Sequence, residues 1–215
     1  MKQVVKKCRK KSLPKKKPDF FITKQFFMKK YILLLSVCSL LWLLPSCGNS
    51  ETSSDKVAEE HNEAKLTEKM ENDAEFAVNA AGGGLMEVEL GNYAAANASS
   101  PRVKDFGRSM AADHSKANDE LKSAAAAKNI TLPAAPPDDK QKMINDLKEK
   151  KGAEFDKAYI DMMVSDHKED LDLFKKQADN GKDADLKAWA AGKVPVLEHH
   201  LQMAEELQKE LNNQK

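Results

Sequence analysis

The chain has 215 residues, with 35 Lys or Arg, 34 Asp or Glu and 41% apolar side chains, which is room for one domain or two small ones. Its formal charge of +1 hides a split: residues 1–46 hold twelve basic residues and one acid, Asp19, leaving 23 and 33 beyond Ser46, a balance of about −10. Such an acidic main body argues against nucleic acid as partner, because phosphate binding needs clustered basic residues.

Residues 1–27 are Lys-rich and carry Pro14 and Pro18. The simplest account is that translation starts at Met28; a long basic leader is the alternative. From Met28 the sequence reads as an export signal. Lys29 and Lys30 precede an apolar stretch of fourteen residues, Tyr31 to Leu44. That is short for a bilayer span, which needs about 20 apolar residues, but suits a signal-peptide core. The stretch ends in Leu44-Pro45-Ser46-Cys47, which resembles a lipobox. The expectation is that residues 1–46 are removed and Cys47 carries the lipid, making a lipid-anchored protein of the cell envelope whose partner is the membrane. An uncleaved membrane anchor is the competing reading. Gly48 is not the Asp that retains Gram-negative lipoproteins in the inner membrane, so the outer membrane is expected.

Residues 47–71 are rich in Ser, Thr, Glu and Asn and read as a flexible tether. Some 24 such residues would reach roughly 25–30 Å on average. His61 falls in this stretch and should be solvated. The other cysteines, Cys8 and Cys38, precede the tether, so no disulfide, thiolate metal site or thiol nucleophile is expected beyond it.

From 72 to 213 the pattern is helical: rich in Ala, Leu, Glu, Lys and Met, without alternating β-branched runs. The first helix is expected from about Asp73 to Ala98. Ser100 and Pro101 then supply an N-cap and a first-turn proline for a second, to about Lys128. Pro133, Pro136 and Pro137 break the chain before a short helix from Asp138 to about Lys150. A further helix should run from Ala153 to Asn180, with Asn180-Gly181 as its C-cap signal, and the last from Asp183 to Asn212, kinked at Pro195. Four long helices and a short crossover helix make an all-α four-helix bundle the expected fold.

Steps of three and four along each long helix trace an apolar stripe, and each stripe carries a polar residue near its middle: Glu87, His114, His167 and His200. Three imidazoles and a carboxylate suit a divalent first-row metal. Asp113 and Asp166 precede two of these histidines in matching Met-x-x-Asp-His contexts, which fits further ligands, acceptors orienting an imidazole or ordinary surface acids, and Tyr159 is a further candidate partner of the rings. Rise per residue puts Glu87 and His114 within about 3 Å in height but leaves His167 and His200 about 6 Å out of step. A neutral hydrogen-bonded network that only fixes packing fits the same residues. An enzyme using Glu87 or a histidine as base is a third reading, although the chain has no nucleophile elbow, phosphate loop or zinc-protease motif. Gly82-Gly83-Gly84, just before Glu87, would either admit a close neighbour or break the helix.

The runs FAVNAAGGGLMEVELGNYAAANASSPRVKDFGRSMAADHSKANDELK, GAEFDKAYIDMMVSDHKEDLDLF and VPVLEHHLQMAEEL resemble the domain of unknown function 4142 family over about residues 72–211. That resemblance implies an exported bacterial protein with a ferritin-like four-helix fold, and no particular activity. Ferritin-like di-iron enzymes use Glu-x-x-His pairs. No histidine here has Glu three residues before it, so a mononuclear, histidine-rich site is the most the chain offers.

Overall fold

A computed structural model describes residues 53–213, and no strand occurs among them. The export signal, the basic leader and Cys47 lie outside the described residues. Six helices follow in order: α1 (Ser54–Glu63), α2 (Glu68–Asn97), α3 (Pro101–Ala126), α4 (Asp138–Glu149), α5 (Gly152–Asn180) and α6 (Ala184–Asn213). None of them is long and apolar enough to cross a membrane.

The long helices end close to where the sequence places their breaks. Helix α3 starts at Pro101, whose missing N–H is no loss in a first turn. It ends where Asn129 adopts φ 58°, in the left-handed region that Asn tolerates, and the Ile130 N–H then bonds back to the Ala125 carbonyl. Helix α5 stops at Asn180, but Gly181 has φ −54° and is not the left-handed cap that Asn-Gly suggests. A Cβ there would strike the Gln177 side chain and carbonyl, so glycine answers crowding rather than handedness. Helix α2 runs unbroken through Gly82–Gly84, where Pro137 crowds Gly82 and Asn118 crowds Gly84. Close approach, not helix breakage, is what that triplet provides.

One expectation needs correction. The flexible tether was expected to last to residue 71, yet α1 occupies Ser54–Glu63 and α2 begins at Glu68. Helix α1 is mostly polar, which is why composition hides it. It is seated by a few buried contacts. Ala58 and Asn62 are buried, the Asn62 side chain donates to the Thr131 carbonyl and accepts from the Thr131 N–H, and Ser53 Oγ accepts from the Asp138 N–H. His61, on this helix, is exposed as expected.

Helix α2 packs chiefly on α3, and α5 on α6; α3 also meets α6, and α2 meets α5. Their interior holds two apolar clusters. One gathers Leu90, Phe106, Met110, Phe155, Tyr159 and Met163, and the other gathers Phe76, Leu121, Leu171, Phe174, Leu186 and Leu197. On α3, α5 and α6 the boundary between the clusters falls at a histidine, His114, His167 or His200, and on α2 it lies between Ala81 and Met86, one residue before Glu87.

The two hairpins are held by matching caps. The Asp73 carboxylate, on α2, accepts the backbone N–H groups of Lys182 and Asp183 between α5 and α6. The Asp156 carboxylate, on α5, accepts those of Ser99 and Ser100 between α2 and α3. Asp156 follows Asp73 by 83 residues, and Lys182–Asp183 follows Ser99–Ser100 by the same 83. Each hairpin therefore closes the turn of the other, which sets their relative height and levels the polar residues at mid-helix.

Candidate metal centre

The buried layer is built around three imidazoles. The rings of His114, His167 and His200 form a near-equilateral triangle, with centroids 5.6, 5.3 and 5.5 Å apart. The 6 Å mismatch expected between His167 and His200 does not occur. One ring nitrogen of each histidine lies within 4.8 Å of the others. His167 and His200 are fully buried and His114 is 7% exposed.

Each ring is held by an acceptor at one nitrogen and left unpartnered at the other. His114 Nδ1 lies 2.7 Å from Glu87 Oε2, His167 Nδ1 lies 3.0 Å from the Met163 carbonyl, and His200 Nε2 lies 3.0 Å from Asp113 Oδ2. A carbonyl or an ionised carboxylate can only accept, so His167 Nδ1 and His200 Nε2 carry the N–H. The Glu87 carboxyl, which burial holds toward its neutral form, pairs with His114 Nδ1 in either tautomer. His167 Nε2 and His200 Nδ1 keep their lone pairs, and these, like His114 Nε2, are buried with no hydrogen-bond partner among the described residues. Burial also lowers the proton affinity of all three rings, and it pushes His167, with His114 and His200 alongside, down to about 3. Three neutral, oriented donors converging on one region are a ligand set for a divalent first-row cation.

The remaining candidates take roles that sequence spacing does not reveal. Glu87, 1% exposed, orients His114, and its other oxygen lies 3.6 Å from His167 Nδ1. Asp113 serves His200 across the α3–α6 seam rather than its chain neighbour His114. Asp166 does not orient an imidazole; its Oδ1 lies 3.3 Å from Lys140 Nζ, on α4. Tyr159 joins no polar network among the described residues: its hydroxyl is buried without a partner there, and its ring stacks on Phe155. His199 is exposed, so His200 is the inward member of that pair.

Two further groups were missed. Asp170 stands 83 residues after Glu87, and burial, with Glu87 and Asp166 nearby, pushes its carboxyl well above the usual range. Burial, with Asp166 alongside, raises Glu87 as well. Lys140 supplies a positive charge beside these acids. Burial opposes its ionisation, but Asp166 outweighs that and holds it above its ordinary value. The Asp166-x-x-x-Asp170 spacing, one helical turn, was a legible signal. Lys140, on a separate short helix, had none.

The model of the family described as Domain of unknown function (DUF4142) matches residues 56–207. The chain belongs to this family. The match reaches back over α1, so the family domain includes the helix that composition disguises as tether. No curated protein and no solved structure matches the chain.

Proposed function

We propose that this protein is a lipid-anchored component of the bacterial cell envelope whose four long helices form a ferritin-like bundle binding one divalent first-row metal ion. His114, His167 and His200 are the ligands. Glu87, the Met163 carbonyl and Asp113 hold the rings in place. The observation that carries the reading is the trio of buried ring nitrogens, one per imidazole, left without a partner when the other nitrogen of each ring has one. A network evolved only for packing would close on itself, whereas this one ends on three ring nitrogens with no partner among the described residues. Three protein ligands also leave one tetrahedral position open, the pattern of reactive rather than purely structural zinc sites. The anchor rests on the lipobox-like Leu44-Pro45-Ser46-Cys47, and outer-membrane sorting on Gly48.

The test is elemental analysis of the full chain, purified in detergent after exposure to zinc, iron, copper or manganese. One metal per chain is expected, and none in a His114→Ala/His167→Ala double variant. Equal metal in both sinks the assignment. Labelled palmitate should enter the chain and be lost from Cys47→Ser, and membrane fractionation should place the labelled protein with the outer membrane.

A further inference from the structure

Three acids gather beside the imidazole trio, where α2 and α5 meet α4. Glu87 on α2 and Asp166 on α5 are 1% and 6% exposed, and one oxygen of each lies within 4.8 Å of the other. Glu87 Oε1 and Asp166 Oδ2 are buried with no hydrogen-bond partner among the described residues. Asp170, one turn beyond Asp166, adds a third carboxyl. Its Oδ1 lies 3.9 Å from where a Cβ on Gly83 would stand, one turn before Glu87. Lys140 Nζ is 3.3 Å from Asp166 Oδ1 while its side chain stays 25% exposed, so the acids lie one side chain below the surface.

We propose that Glu87, Asp166 and Asp170 bind a calcium-type divalent cation at a site separate from the three imidazoles. Lys140 engages one oxygen of Asp166 and leaves Glu87 Oε1 and Asp166 Oδ2 facing each other idle. Two oxygens this close can both reach a cation at the Ca–O distance of about 2.3–2.6 Å. Three carboxyls against one ammonium also leave two formal negative charges uncancelled, the charge of one such ion. Burial holds all three acids above the usual carboxylate range, as befits acids short of positive charge. The donors are oxygens. His167 Nδ1 comes within 3.6 Å of Glu87 Oε1, but its N–H is given to the Met163 carbonyl. An all-oxygen set suits calcium rather than zinc or copper. Glu87 meets the imidazole site only through His114 Nδ1, across the ring from the unpartnered Nε2, so no carboxylate bridges the two sites. The cation enters where the flexible Lys140 stem swings outward and gives its ammonium to water. The site is built from its own oxygens and stands whether or not the imidazoles hold metal.

Calcium is the probe. The full chain in detergent is dialysed to equilibrium against radioactive calcium in salt, with and without one zinc per chain. One saturable calcium per chain is expected in both states. Asp170→Asn should weaken it at least tenfold. Lys140→Met removes the competing ammonium, keeps the apolar stem and should tighten calcium by roughly tenfold. A damaged fold cannot produce that gain, so the second variant stays decisive if the first fails to fold. No saturable calcium in the wild type, equal affinity in a folded Asp170→Asn, or no tightening in Lys140→Met overturns the site and leaves Glu87 and Asp166 as a pair sharing a proton. Zinc retained without calcium removes this inference alone. Calcium bound in the expected pattern without zinc removes the imidazole reading alone.

Discussion

Replacing His167 by leucine should make the metal-free protein more stable, not less. His167 is fully buried, and its Nε2 has no partner among the described residues. A buried acceptor left unpaired costs about 1–3 kcal/mol. Leucine is of similar volume and removes that atom. The loss is the bond from Nδ1–H to the Met163 carbonyl, worth about 1 kcal/mol at most. The net gain is therefore up to about 2 kcal/mol. In a domain of this size 1 kcal/mol moves Tm by about 2–4 °C, so a rise of up to about 8 °C is expected by calorimetry in EDTA. Zinc should reverse the order. At free zinc about 100 times its dissociation constant, the wild type gains about 2.7 kcal/mol, while the variant, short of one ligand in three, gains almost nothing. A variant that melts below the wild type in EDTA, with zinc lifting both equally, would refute the argument, because the nitrogen would then have a stabilising partner that is not a metal.

The same side chain fixes a pH dependence. His167 has its ordinary value of 6.5 depressed to about 3 in the fold, so the unfolded chain takes up the proton first. Its contribution is full above 6.5 and drains away as pH falls toward 3; in EDTA, the advantage of His167→Leu over wild type should grow by about 2 kcal/mol between pH 7 and pH 5 in urea titrations. Asp156→Ala removes the acceptor for two backbone N–H groups at the start of α3 and should cost about 3 kcal/mol by the same method. Gly91→Ala should cost about 1–3 kcal/mol, since its Cβ would sit 2.8 Å from the Gly107 carbonyl oxygen and 2.9 Å from the Ala111 nitrogen, both backbone atoms that cannot swing aside. Gly192→Ala meets nothing within 4 Å and should stabilise by about 1 kcal/mol, which makes it the control for helix propensity alone.

Helix periodicity made most of the architecture legible. Apolar stripes at steps of three and four, with Pro101 and the Pro133–Pro137 break between them, located the long helices to within a few residues, because burial repeats on each turn and leaves a regular trace. The same regularity exposed Glu87, His114, His167 and His200 as interruptions of a buried face. What the stripes could not carry was anything that depends on how separate helices meet. Asp113 and Asp166 sit in identical local contexts, yet one reaches across to His200 and the other to Lys140. Helix α1 escaped for a different reason. It is so polar overall that its one inward face, carried by Ala58 and Asn62, is too thin to read as a buried stripe, and Asn62 and Ser53 seat it by hydrogen bonds instead. The matched caps of Asp73 and Asp156 were equally silent, since an acid near a helix start is usually read as serving its own first turn.

The seating of α1 also changes what an acyl group at Cys47 would do. Ser54 is only seven residues beyond that cysteine. The leash shrinks from a contour of roughly 85 Å, for 24 free residues, to about 25 Å. Were Cys47 acylated, so short a line would keep the start of α1 within about 25 Å of the headgroups and restrict how freely the domain could turn above them.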